Sequence, residues 1–266
     1  MGDRAVSRRL TSRQWRVLSF LALHGIATTV EVAVAVGVPR LTAHRDLTRL
    51  HGLGLVERRR SDEDRTHTWW YGVTAEGADL VGRDLAASGR PVPLQLGRRR
   101  WSDADGLLFL PLVEMSRQNP GRCELFGWLT TMDTSVWLRG HGLAHLRADG
   151  FGVWLEDGRC LRFLVHVDNA RISGLLSEEE QRAAGLDVLL AGYRRTDPAV
   201  PVGAVLLVAR DTDYEDHLLE DLARRPVRAP IATTNIELLV RQWPNEAVWR
   251  VPGEAGTRRR LIDLAP

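Results

Sequence analysis

The chain has 266 residues, of which 44% are hydrophobic and 26% charged, with a net charge of +2. That is the composition of a globular protein long enough for two cores, and no apolar run nears the ~20 residues of a membrane span. All 36 basic residues are arginine, which excludes any lysine-dependent chemistry, and two cysteines, Cys123 and Cys160, have no metal-ligand spacing. The charge is unevenly spread. Residues 1–100 hold 17 Arg against 10 acidic residues, while 101–266 hold 19 Arg against 24, so nucleic acid is expected at the first half. No apolar segment precedes the first predicted helix, so a secretory signal is not expected and a cytoplasmic location is.

In chain order, "TSRQWRVLSFLALHG" begins with a Ser/Thr cap, places Trp15, Leu18 and Ala22 at helical spacing and stops at Gly25. "TTVEVAVAVG" reads as a second short helix ending at Gly37. "VPRLTAHRDLTRLHGLGLV" reads as a third, with a narrow apolar stripe of Ala43, Leu47 and Leu50. Arg40, Thr42, His44, Arg45 and Arg49 project away from that stripe. "LVERRR" and "THTWWYGV" are strands flanking "SDEDR", and "TAEGADLVGRDLAA" is a closing helix. Adjacent strand residues face opposite ways, so one of Trp69 and Trp70 is expected in the core and the other at an interface. Helix, helix, helix, hairpin, helix is the order of a winged helix-turn-helix. Over residues 10–87, "LTRLHGLGLVERR" and "VTAEG" resemble winged-helix regulators of the multiple-antibiotic-resistance type. The resemblance implies a third helix in the major groove and a wing, carrying Arg58, Arg59, Arg60 and Arg65, on phosphates or the minor groove. Winged helices also serve protein contact, and the acidic tip Asp62–Asp64 favours that rival.

"ASGRPVPLQLGRRRW", with Gly, two Pro and Arg98–Arg100, reads as a linker, giving domains at 1–88 and 103–266 with 89–102 between them. Beyond it, "SDADGLLFLPLVEMSRQ" has a capped helical start, and Pro111 would kink or break the helix. "GRCELFGWL" is a strand. "FGVWLEDGRCLRFLVHVDNA" is a hairpin around an Asp-Gly turn. "SEEEQRAAGLDVLLAGYRR" is a helix, and "VGAVLLVAR" a central strand covered on both faces. A helix over "TDYEDHLLEDLARR" and strands at "APIATTN" and "EAVWRV" complete an α/β unit with a mixed sheet, so the class is α+β overall. The helices at 76–87 and 103–118, with Trp101, are candidate homodimer elements.

The whole chain resembles the replication-relaxation family of plasmids and other bacterial mobile elements. The resemblance rests on Ala148-Asp149 before the hairpin, the strand Phe163–Asp168, "LLAGYRR" around Tyr193 and "VWRVPGEAGTRRRLIDL". It implies a restriction-endonuclease-like second domain, a partner in double-stranded DNA and further replication or transfer proteins, and a role in replication, relaxation or self-regulation. In that fold Mg²⁺ is held by carboxylates on neighbouring strands beside a lysine. Here Asp149 and Asp168 fit, His166 stands where the family has Glu, and lysine is missing. Imidazole is a poor Mg²⁺ ligand, so a degenerate nuclease-like domain without cofactor or catalytic residues is expected. The alternatives are a Mn²⁺ or other divalent site at Asp149, His166 and Asp168, an active metal-dependent nuclease or relaxase, a transcription regulator whose second domain senses a ligand, and a purely structural His166–Asp168 pair.

Overall fold

The computed structural model describes residues 10–60, 69–88, 104–168, 189, 191–193, 202–225, 227, 229–254 and 256–266. The chain divides into two compact units, Met1–Trp101 and Ser102–Pro266. The acidic tip 62–64, Arg65, the Arg98–Arg100 triplet, Trp101 and most of the helix expected before Tyr193 lie outside the described residues.

Unit one begins with α1 (Ser12–His24), opened by a reciprocal capping box in which Thr11 Oγ1 accepts from Gln14 N and Gln14 Oε1 accepts from Thr11 N. A two-residue strand β1 (Ala27–Thr28) leads into α2 (Thr29–Val36), capped the same way by Thr28 and Glu31. It ends at Gly37, whose left-handed φ of 80° suits a residue without Cβ. Then follow α3 (Arg40–Gly52), β2 (Val56–Arg60), β3 (Trp69–Val73) and α4 (Ala75–Ala87). β1 pairs with β3 and extends the hairpin to a three-stranded antiparallel sheet, an element the sequence did not suggest. α1 packs on α2, α3 and α4. Its buried face is Val17, Leu18, Leu21 and Ala22, and α3 buries Ala43, Leu47 and Leu50 completely. The expectation for the tryptophans is corrected. Neither Trp69 nor Trp70 is buried, and the core aromatic of β3 is Tyr71 at 1% exposure.

In unit two, a π-helical stretch (Asp105–Phe109) runs into α5 (Leu110–Gln118). Pro111 is the second residue of α5, where the chain passes from π-helical to α-helical geometry, and the helix is not broken there. β4 (Cys123–Thr130) is followed directly by α6 (Thr131–Gly140), a helix not foreseen from the sequence. β5 (Gly150–Glu156) and β6 (Arg159–Val167) join at Asp157-Gly158, both at positive φ (49° and 77°), as an Asp-Gly hairpin requires. β7 (Ala204–Ala209), α7 (Thr212–Arg224), β8 (Ile231–Asn235), α8 (Ile236–Arg241), β9 (Trp249–Arg250), β10 (Arg258–Arg259) and a 3₁₀ turn (Leu261–Leu264) complete the unit. The seven strands lie in the order β10-β9-β8-β7-β6-β5-β4; β6, β7 and β8 run parallel and the other pairs antiparallel.

The period-two alternation of these strands feeds two cores. Phe163, Val165, Leu206 and Val208 point to one face, with Leu108, Leu112, Trp154, Trp249 and Leu261. Leu164, Val205 and Leu207 point to the other, with Leu138, Phe151, Tyr193, Leu218 and Leu222. A continuously apolar β7 is therefore what a strand covered by helices on both faces needs. The fold is α+β, a winged-helix unit and a mixed-sheet unit. Among the described residues no helix is long and apolar enough to cross a membrane.

Candidate nucleic-acid interface

α3 owes its orientation to its inward face. Beside Ala43, Leu47 and Leu50 that face carries Asp46, only 2% exposed. A carboxylate taken from water must find donors. Arg13 of α1 supplies two, Nε at 2.5 Å and Nη2 at 3.2 Å, and Gln14 Nε2 a third at 3.3 Å. The fork of Arg13 on both oxygens fixes the rotation of α3 about its own axis as well as its distance from α1. At the other end, the His51 ring Nδ1 lies 2.8 Å from the carbonyl of Val56 and ties the last turn to β2.

With that rotation set, Arg40, Leu41, His44, Arg45, Thr48 and Arg49 are exposed and Thr42 is half-buried. At about 100° per residue, Leu41, His44, Arg45 and Thr48 share spacings i, i+3, i+4 and i+7 and form the ridge opposite the buried stripe. Arg40 and Arg49 flank it. The sequence reading placed five of these side chains and passed over Leu41 and Thr48, although the same spacing that identified the inward stripe also defines the ridge.

On β2, Arg58 lies over the ring of Trp69, 4.7 Å from its centroid, on the exposed surface of the wing sheet. Arg59 is exposed and within 2.9 Å of Glu57. Arg60 ends β2; its side chain, like Arg65, lies outside the described residues. Every described arginine named from the sequence on α3 and β2 is thus at the surface, held by a rigid hydrogen-bonded frame.

The second set of candidates lies in unit two. Asp149, His166 and Asp168 line one cleft of about 180 Å³, with Leu189, Leu207, Val208, Tyr214 and Leu218. Asp149 is stitched to β6: its N–H donates to Val165 O (2.7 Å), and its Oδ2 accepts from Val167 N (2.9 Å). His166 Nε2 is 2.8 Å from the hydroxyl of Tyr193, ring edge to face. Burial pushes the His166 pKa down to about 3, so the imidazole is neutral, and raises that of Tyr193, helped by nearby Asp149. Asp168 continues the parallel ladder through its N–H to Val208 O (2.9 Å). Among the described residues no three His, Cys, Asp or Glu side chains form a group able to hold a metal ion. Asp149, His166 and Asp168 share this cleft but are not such a group.

Residues 10–65 match the MarR family. Among solved structures, RV1404 from Mycobacterium tuberculosis is 28% identical over 31% of this chain and 56% of its own, with a TM-score of 0.29. The transcriptional regulator SlyA is 18% identical over 33% and 61%, TM-score 0.30. ZitR of Lactococcus lactis, a zinc-responsive MarR family member, is 20% identical over 30% and 55%, TM-score 0.28. The chain spans little more than half the length of these proteins, and at such scores the likenesses add nothing to the family match. No curated protein matches. The replication-relaxation resemblance finds no support among these matches, and neither does a restriction-endonuclease-like identity for unit two. Residues 10–65 carry a winged helix of MarR type.

Proposed function

We propose that the protein is a transcription regulator that binds duplex DNA through unit one, with α3 in the major groove and β2–β3 as the wing. The observation that carries the reading is the exposed ridge of α3, flanked by Arg40 and Arg49, within the MarR-family match. Arg and His can bond base edges and phosphates, and an Asp46-locked helix presents them without reorganising. Arg58 and Arg59 supply a second basic contact one element away. A homodimer reading paired half-sites follows from this reading. The test is selection of duplexes from a random library with the full chain, followed by anisotropy on the winners. Arg45→Ala should weaken binding by about 1–3 kcal/mol. Failure to enrich any duplex would remove the reading.

A mobile-element role with a nuclease-like second unit keeps one support: Asp149, just before the β5–β6 hairpin, shares a cleft with His166 and Asp168, the positions to which the replication-relaxation resemblance pointed. Its sharp test is supercoiled DNA with Mg²⁺ or Mn²⁺. Cleavage abolished by Asp149→Ala would establish an active centre. No cleavage with either ion would leave the unit a binding or sensing domain.

A further inference from the structure

Leu41 is 60% exposed on the first turn of α3, at the N-terminal end of the ridge that also holds His44, Arg45 and Thr48. Nothing among the described residues explains a leucine there. The inward face is filled by Ala43, Leu47 and Leu50, all at 0% exposure, and the Asp46–Arg13 fork stops the helix from rolling Leu41 inward. Its neighbours on the ridge all have hydrogen-bonding groups; Leu41 has none.

Resting on the proposal that α3 lies in the major groove, we infer that Leu41 is a specificity residue that packs on the C5-methyl group of a thymine. Residues at the N-terminal end of a recognition helix come closest to base edges. In the major groove, the thymine methyl is the apolar group that distinguishes one base pair from another, and an aliphatic side chain is its complement. Arg40 and Arg45 flank Leu41 with positive charge, which suits a polyanion and would suit an apolar protein partner poorly.

The experiment uses the full chain and the duplex it selects from a random library. Each dT of that site is replaced in turn by deoxyuridine, which deletes only the methyl, and affinity is read by anisotropy. The expected result is one thymine per half-site at which this change weakens binding about three- to five-fold, the value of burying roughly one methyl. Leu41→Ala, whose exposed position should leave the melting temperature unchanged, should bind the dT and deoxyuridine duplexes equally. If the chain binds its selected duplex but no position responds, or the response persists in Leu41→Ala, the inference is overturned while the DNA-binding reading stands. If no duplex is selected, both fall, and Leu41 becomes part of a protein-contact surface.

Discussion

Asp46 decides more about the exposed face of α3 than any arginine on it, because a nearly waterless carboxylate admits few arrangements of the helix that bears it. Arg13→Ala and Asp46→Ala should each lower the melting temperature, and the double variant should lose much less than the sum, since both remove one interaction. Additive losses in that cycle would show that the fork does not couple α1 to α3. A second buried carboxylate, Glu215, at 0% exposure, accepts from Thr233, Asn235 and both terminal nitrogens of Arg258, joining α7, β8 and β10. Arg258→Ala leaves that charge in the core with only neutral donors, and should cost about 3 kcal/mol in chemical denaturation. His166 gives a pH signature. Its folded pKa of about 3 lies below the ordinary 6.5, so the unfolded chain takes up the proton first. The neutral, buried state therefore contributes stability that is complete above pH 6.5 and is lost as pH falls from there toward 3, by up to about 1.4 kcal/mol per pH unit. Urea midpoints at pH 7, 6 and 5 should fall less steeply in His166→Gln; identical slopes would contradict this account of the His166–Tyr193 pair.

At the scale of elements, glycines test how tightly unit one is fitted together. A Cβ on Gly77, in the first turn of α4, would meet Leu55 O at 2.3 Å and Val73 Cγ2 at 2.6 Å, whereas one on Gly52, at the end of α3, would meet nothing. Gly77→Ala should destabilise by about 2–3 kcal/mol because the obstacle is backbone, and Gly52→Ala should be neutral or stabilising by about 0.5 kcal/mol. Thermal melts of the two variants decide it. The same contrast marks what could be read in advance. The four- and three-residue spacings of Ala43, Leu47 and Leu50 announced the inward side of α3, and hence its exposed arginines, because helical periodicity is local. Asp46 broke that pattern and its explanation, Arg13, lies 33 residues earlier. The β5–β6 hairpin was legible because Asp157-Gly158 needs positive φ at both positions. The Tyr193 partner of His166, 27 residues away, was not legible. Nor was α6, where "TMDTSVWLRG" holds few apolar residues at helical spacing and two β-branched threonines. Two adjacent tryptophans suggested a core residue. The wing sheet instead buries Tyr71 and leaves Trp69, two residues earlier on the same strand, beneath Arg58, because strand alternation says which residues share a face but not how far along the strand the core reaches.

For the whole molecule, the division of charge agrees with the division of fold. Residues 1–100 carry the Arg surplus, and the winged helix lies among them. Residues 101–266 carry the acidic surplus, and the mixed sheet with the cleft of Asp149, His166 and Asp168 lies there. A regulator built this way should hold DNA with one unit while the other modulates or oligomerises. The most direct measurement of the central claim is anisotropy of the full chain with its selected duplex across 50–300 mM salt. The account predicts a linear fall of log affinity with log salt, with a slope reduced by about one on Arg49→Ala if that arginine neutralises a phosphate. Affinity that does not depend on salt, or that survives Arg40, Arg45 and Arg49 all changed to Ala, would contradict it.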